Sequence, residues 1–176
     1  MHPRYLILAE GRFHMYDAKT AVCAIRYLGS HVAAVIDSTS AGRTVQDVLG
    51  FGGDIPIVSN LEEGLACEPE ALLIGIAPVG GRLPREWQRL CVRAAQAGLH
   101  LYSGLHVSLS DDPVIAEAAA AAGTRIYDLR KVPDDVPVGT GAACDVEPVV
   151  VLTVGSDCAV GKMTAAVEIV RELERQ

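Results

Sequence analysis

A glycine-bracketed loop near the end of the chain, Gly155 to Thr164, has the residue types that bind phosphate. It lies between an apolar, β-branched run, Pro148 to Val154, and a segment with apolar residues at helical spacing. We therefore expect a buried parallel strand before the loop and a helix after it. Such a turn directs backbone N–H groups and the positive end of the helix dipole at one point, where an anion can bind. Gly161 leaves room for that anion, and Lys162 is expected to neutralise a β- or γ-phosphate. The predicted phosphate-binding residues are Gly155, Ser156, Asp157, Cys158, Ala159, Val160, Gly161, Lys162, Met163 and Thr164.

The loop departs from the common G-x-x-x-x-G-K-[ST] pattern in two ways. Five residues separate Gly155 from Gly161 instead of four, and Met163 occupies the position of the hydroxyl that binds Mg²⁺. Thr164 follows one residue later, so on a helix its hydroxyl points roughly 100° away. The pattern thus argues against a metal here. A strand-to-helix turn that needs glycine for geometry alone remains the alternative.

Strand and helix patterns alternate from Tyr5 to Leu129, which predicts a Rossmann-like parallel sheet with helices on both faces. Residues 131–147 are rich in proline, glycine and acids, as in a linker. We therefore expect a Rossmann-like α/β domain over 1–130, a linker over 131–147 and the first strand, loop and helix of a P-loop domain over 148–176. A P-loop domain needs further strands, so this second domain is expected to be incomplete and the chain a fragment without activity of its own.

Ligands of open α/β sheets bind outside the carboxyl ends of the strands. Glu10 follows the first predicted strand, where Glu-Gly-Arg replaces G-x-G-x-x-G, so dinucleotide binding in the standard manner is not expected. Asp37 ends the second strand, where it either contacts a ribose or serves as a turn residue with Ser38 and Thr39.

Two glycine-containing loops follow the third and fourth main strands, and they leave room for a ligand to approach backbone amides. His106 is the histidine at such an end and is the candidate catalytic residue, with a hydrogen-bonded structural role as the alternative. The candidate substrate-binding residues are Glu10, Asp37, Gly80, Gly81, Ser103, Gly104 and His106.

Composition excludes several classes of function. The net charge is −7, the sequence pI is about 5.2 and no basic run occurs, so nucleic-acid binding is not expected. The five cysteines are widely spaced without a C-x-x-C pair, which is typical of reduced thiols in a cytoplasmic protein. No apolar run approaches the roughly 20 residues that cross a membrane.

The loop sequence GSDCAVGKMT is similar to the loop of dethiobiotin synthetase-like P-loop proteins, which has the same longer spacing and an Asp at its third position. Nearly all of the chain resembles the N-terminal half of a P-loop family that includes the D-glutamate N-acetyltransferases. The matching segments are residues 9–11, 19–21, 34–42, 74–81, 103–106 and 155–164.

The resemblance implies acetylation of the amino group of D-glutamate, with the P-loop holding the phosphates of acetyl-CoA. Acetyl transfer needs neither a γ-phosphate nor Mg²⁺, which agrees with Met163 at the metal position. Two alternatives remain: ATP-dependent carboxylate activation of the dethiobiotin synthetase type, and a nucleotide-binding module without catalysis. Under each, the partner is a small molecule, and analogy with other α/β enzymes predicts a homo-oligomer.

Overall fold

The computed structural model describes residues 2–78, 83–132, 135–136, 139, 141–157 and 160–176. The chain divides into two compact units, Met1–Val132 and Pro133–Gln176. In the first unit the helices are α1 (Lys19–Leu28), α2 (Val45–Leu49), α3 (Leu61–Leu65), α4 (Arg85–Gln96) and α5 (Pro113–Ala122); in the second lies α6 (Lys162–Arg175). In the part of the chain that the structure describes, every helix is too short or too polar to span a membrane.

A six-stranded parallel sheet forms the centre of the first unit. Its strands are β1 (Tyr5–Leu8), β2 (Val32–Ile36), β3 (Ile57–Val58), β4 (Ala71–Ile74), β5 (His100–Ser103) and β6 (Ile126–Asp128). Their order is β3-β2-β1-β4-β5-β6, the order of dinucleotide-binding Rossmann folds. The strand order runs outward in opposite directions from β1 and β4, and with the right-handed crossovers usual in such sheets this arrangement places helices on both faces. The predicted Rossmann-like α/β class is confirmed.

Burial follows the position of each strand in the sheet. All four residues of β1 and all four of β4 are buried, as expected for central parallel strands that are covered on both faces of the sheet. The edge strand β6 is only half-buried along its length. The continuous apolar runs of the sequence therefore mark the middle of the sheet.

Local capping sets where the helices begin. Asp112 accepts hydrogen bonds from the N–H groups of Val114, at 3.0 Å, and Ile115, at 3.3 Å, at the start of α5. Thr44 and Asn60 cap α2 and α3 in the same way. α2 and α3 were not predicted from the sequence, because a five-residue helix is too short to show a helical period.

Gly75, directly after β4, lets α1 approach the centre of the sheet. Its carbonyl accepts a hydrogen bond from the N–H of Ala21, at 2.9 Å, and its own N–H donates to the carbonyl of Leu8, at 2.8 Å. A Cβ on Gly75 would lie 2.5 Å from Cγ2 of Ile7 and 2.9 Å from Cβ of Ala21. Glycine at position 75 therefore allows α1 to pack closely against β1.

The second unit contains the predicted helix but not the predicted strand. α6 begins at Lys162 as expected, whereas residues 149–154 adopt no strand and Val149 is 91% exposed. A strand requires a neighbour to accept and donate its backbone hydrogen bonds. The described residues of 133–176 form no other strand that could pair with this run.

We expect Gly75→Ala to lower the free energy of unfolding of the first unit by about 1–3 kcal/mol, because the added methyl group overpacks the contact with α1. Urea unfolding followed by the fluorescence of Trp87, the single tryptophan of the chain, measures this directly. Gly29→Ala is the matched control, because Gly29 is helical, with φ −52°, and nothing lies within 4 Å of its Cβ position. Equal stabilities of the two variants would contradict the packing role of Gly75.

Candidate functional site

The P-loop in the second unit closes tightly around a glycine at each end. A Cβ on Gly155 would lie 2.5 Å from Cγ2 of Val160 and 3.2 Å from Cγ of Lys162. Gly161 has φ +91°, in the left-handed region that favours glycine, and α6 begins at the next residue. Both glycines are therefore required by the geometry of the turn.

Lys162 folds back over this loop. Its Nζ donates a hydrogen bond to the carbonyl of Asp157 at 2.5 Å, and its own carbonyl accepts from Oγ1 of Thr153 at 3.0 Å. No described side chain caps the N-terminus of α6, so its first N–H groups have no side-chain acceptor among the described residues. An ammonium group beside uncapped helical N–H groups is the arrangement that binds a phosphate.

The remaining loop residues offer fewer groups that could bind a phosphate or a metal ion. Met163 is 60% exposed, and its thioether is a poor ligand for Mg²⁺. Ser156 and Val160 are exposed and Thr164 is half-buried, while the predicted Cys158 and Ala159 lie outside the described residues. Among the described residues, no three His, Cys, Asp or Glu side chains gather as a metal site would require.

In the first unit, Glu10 and Asp37 connect the loops after β1 and β2. Asp37 is fully buried; its Oδ1 accepts a hydrogen bond from the N–H of Gly11 at 2.7 Å, and both of its oxygens lie 2.9 Å from Oγ1 of Thr39. Glu10 accepts from the N–H of Ser38 at 2.9 Å and from its hydroxyl. The N–H of Gly11 is thus occupied by a carboxylate, where a Rossmann dinucleotide site presents free N–H groups to pyrophosphate. This geometry favours the turn role for Asp37.

The residues after β5 form a separate group. Ser103 is buried, and its Oγ accepts a hydrogen bond from the N–H of Leu105 at 3.2 Å, across Gly104. His106 is exposed, with its Nε2 3.3 Å from Nη1 of Arg130. Because a guanidinium only donates, Nε2 is the acceptor in this contact. The predicted Gly80 and Gly81 lie outside the described residues.

The aspartates near His106 have other partners. Asp111 pairs with Lys131, with Oδ1 3.2 Å from Nζ, and Asp112 caps α5. The described partner of His106 is instead Arg130, from the loop after β6.

A cleft of about 220 Å³ also opens at the carboxyl ends of β1 and β2, where α3 and α4 begin. Its apolar wall is formed by Leu8, Ile36, Leu61, Trp87 and Leu90. Of its polar residues, sequence analysis identified only Glu10 and missed Glu86 and Arg93 on α4. A signal was present, because Glu86, Leu90 and Arg93 follow the i, i+4, i+7 spacing of one helix face.

We expect Asp37→Ala to lower the free energy of unfolding of the first unit by about 1–3 kcal/mol, because the N–H of Gly11 loses its acceptor. Denaturant titration with Trp87 fluorescence measures the change. Asp54→Ala is the control, since Asp54 is exposed and makes no described side-chain hydrogen bond. A loss of unfolding free energy no larger than that of the control would show that Asp37 does not hold the two loops together.

Cys91 is expected to be inert to thiol reagents in the folded chain. Its side chain is fully buried, and this burial, with a smaller effect from the charge of Asp112, raises the pKa of the thiol to about 12. Iodoacetamide at pH 7 to 9, with mass spectrometry of the peptides, should modify the exposed Cys144 and leave Cys91 intact. Equal modification rates for the two residues would show that Cys91 is accessible.

Comparison with known proteins places these two units in one family. Residues 38–132 match the family model described as the DUF1611 N-terminal, Rossmann-like domain of unknown function, and residues 137–176 match the DUF1611 P-loop domain. A crystal structure of a DUF1611 family protein from Anabaena variabilis superposes with a TM-score of 0.87 at 36% identity, covering 96% of this chain and 49% of that one.

Two curated relatives are named D-glutamate N-acetyltransferase. The protein from Tritonibacter scottomollicae is 35% identical over 126 residues, covering 71% of this chain and 37% of the relative. The protein from a Pseudoalteromonas species is 26% identical over 125 residues, covering 68% of this chain and 37% of the relative. The aligned part of the chain thus covers 37% of the length of each of these curated relatives. With its Rossmann-like domain followed by a P-loop domain, it belongs to the DUF1611 family.

Proposed function

We propose that this chain is part of an enzyme that acetylates the amino group of a small amino acid, D-glutamate first of all, and that its P-loop holds the phosphates of acetyl-CoA. The observation that carries the proposal is the loop geometry, in which Lys162 lies beside the uncapped start of α6. The name shared by two relatives supports the choice of reaction. The enzyme is proposed to be cytoplasmic and homo-oligomeric.

The chemistry of this reaction fits the residues of the loop. Acetyl-CoA supplies the acetyl group as a thioester, and the amine forms an amide bond as the C–S bond breaks, so no phosphate bond is cleaved. The loop therefore needs only to bind phosphate oxygens, for which Lys162 can exchange the carbonyl of Asp157 for an anionic partner. A Mg²⁺-binding hydroxyl is not needed, and Met163 occupies its place.

ATP-dependent carboxylate activation of the dethiobiotin synthetase type is the second candidate. It is favoured by the five-residue spacing between Gly155 and Gly161 and by Asp157 at the third position of the loop. It requires Mg²⁺, which Met163 cannot bind in the usual way. A nucleotide-binding module without catalysis shares the same loop and predicts binding without turnover.

We expect Lys162→Ala to weaken the binding of acetyl-CoA by about 10- to 100-fold, because a charge-assisted hydrogen bond contributes about 1.5–3 kcal/mol. Calorimetric titration of the chain, with and without EDTA, measures the affinity, and EDTA should have no effect. Arg175→Ala, at the opposite end of α6, is the matched control and should bind as the unmodified chain does.

The same titration with ATP and Mg²⁺ separates the candidates. Tighter, Mg²⁺-dependent binding of ATP would contradict the acetyl-CoA proposal in favour of carboxylate activation or nucleotide sensing. Equal affinities of the Lys162→Ala and unmodified chains for both ligands would contradict a phosphate-binding role for the loop.

A further inference from the structure

The cleft between α3 and α4 lies at the carboxyl ends of the parallel strands, where ligands of open α/β sheets bind. Leu8 and Ile36, which line it, are the last residues of β1 and β2 and pair directly in the sheet. β1 is also one of the two strands at which the strand order reverses, and ligands of open α/β sheets bind outside the carboxyl ends at this point. The described residues that line the cleft all belong to the first unit.

The dimensions and the apolar wall of the cleft fit a small molecule. Its volume of about 220 Å³ is below the roughly 300–1,000 Å³ of pockets for drug-sized ligands. Trp87 is the largest side chain in the wall, and its indole N–H, which can only donate, has no acceptor among the described residues. A ligand of amino-acid size would suit this space.

The charges around the cleft favour a ligand that carries a cation. Glu86 is exposed and has no hydrogen bond or ion pair among the described residues, and Glu10 is a second carboxylate in the lining. Arg93, the cation of the lining, is paired with Glu62, so its charge is already balanced. Both oxygens of Glu10 accept hydrogen bonds from Ser38, so the carboxylate of the lining without a described partner is that of Glu86.

Arg93 also offers a place for an anionic group on the same ligand. Its side chain is 54% exposed and that of Glu62 is 61% exposed, and an ion pair this exposed is weak, about 0–1 kcal/mol. Arg93 can thus exchange Glu62 for a carboxylate of a ligand at small cost. The polar groups of Ser59 and Asn60, by contrast, are used in capping α3 through Glu63.

We propose that this cleft binds the amino-acid substrate, with its ammonium group at Glu86 and one carboxylate at Arg93. The identity of the amino acid rests on the proposed function; the preference for a small ligand with both charges rests on the cleft itself. The first unit thus binds the amine, independently of phosphate binding by the P-loop.

Titration of the chain with D-glutamate, followed by calorimetry and by Trp87 fluorescence, tests this assignment. Binding of D-glutamate should change the fluorescence emission of Trp87. Glu86→Gln should lower the affinity for D-glutamate at least about tenfold, because a charged partner of the ammonium is removed. Glu117→Gln, an exposed acid on α5 that does not line the cleft, is the matched control and should bind normally. Glutarate, which lacks the amine, should bind weakly and respond little to Glu86→Gln.

The outcomes separate this inference from the proposed function. Absence of D-glutamate binding, or binding that Glu86→Gln and Arg93→Ala both leave unchanged, would overturn the assignment of the cleft, whatever acetyl-CoA does at the P-loop. Binding of D-glutamate that depends on Glu86, in a chain that fails to bind acetyl-CoA, would support the cleft and contradict the proposed role of the P-loop. Thermal unfolding of each variant confirms that the exposed substitutions leave the fold intact.

Discussion

The close contact between α1 and the strands β1 and β4 is the constraint on which the first unit depends. β1 and β4 pair along their whole length, with Leu8 beside Ile74, and the strand order reverses between them. Gly75 allows this contact because no side chain larger than hydrogen fits between Ile7 and Ala21. The loops of the first unit that could form a binding site all begin at the carboxyl ends of the strands that this contact holds together.

Carboxylates at that edge have two different roles, which their hydrogen bonds distinguish. Asp37 is buried and accepts from the backbone of the neighbouring loop, so it holds the loops after β1 and β2 together. Glu86 is exposed and has no described partner, so its charge is available to a ligand. In the second unit, the ammonium group of Lys162 has a hydrogen-bond partner, but this partner is a backbone carbonyl that an anion can replace.

Much of the fold could be predicted from the sequence, because buried parallel strands are continuous apolar runs and Asp112 and Gly161 mark helix starts. The strand over 148–154 was predicted wrongly, since a strand also depends on a neighbour that its own residues do not encode. The partner of His106 could not be predicted, because Arg130 comes from the end of another strand. The cleft was missed for the same reason: the residues that line it meet only when β1, β2 and α4 pack together.

We propose that the two units bind different ligands, an amino acid in the first and a phosphate-bearing cosubstrate in the second. Hydrogen–deuterium exchange of the chain with each ligand separately tests it most directly. D-glutamate is predicted to protect amides at the start of α4 and after β1, and acetyl-CoA to protect those of the loop and the first turn of α6. Protection of the same segment by both ligands, or of neither segment by its own ligand, would contradict the account.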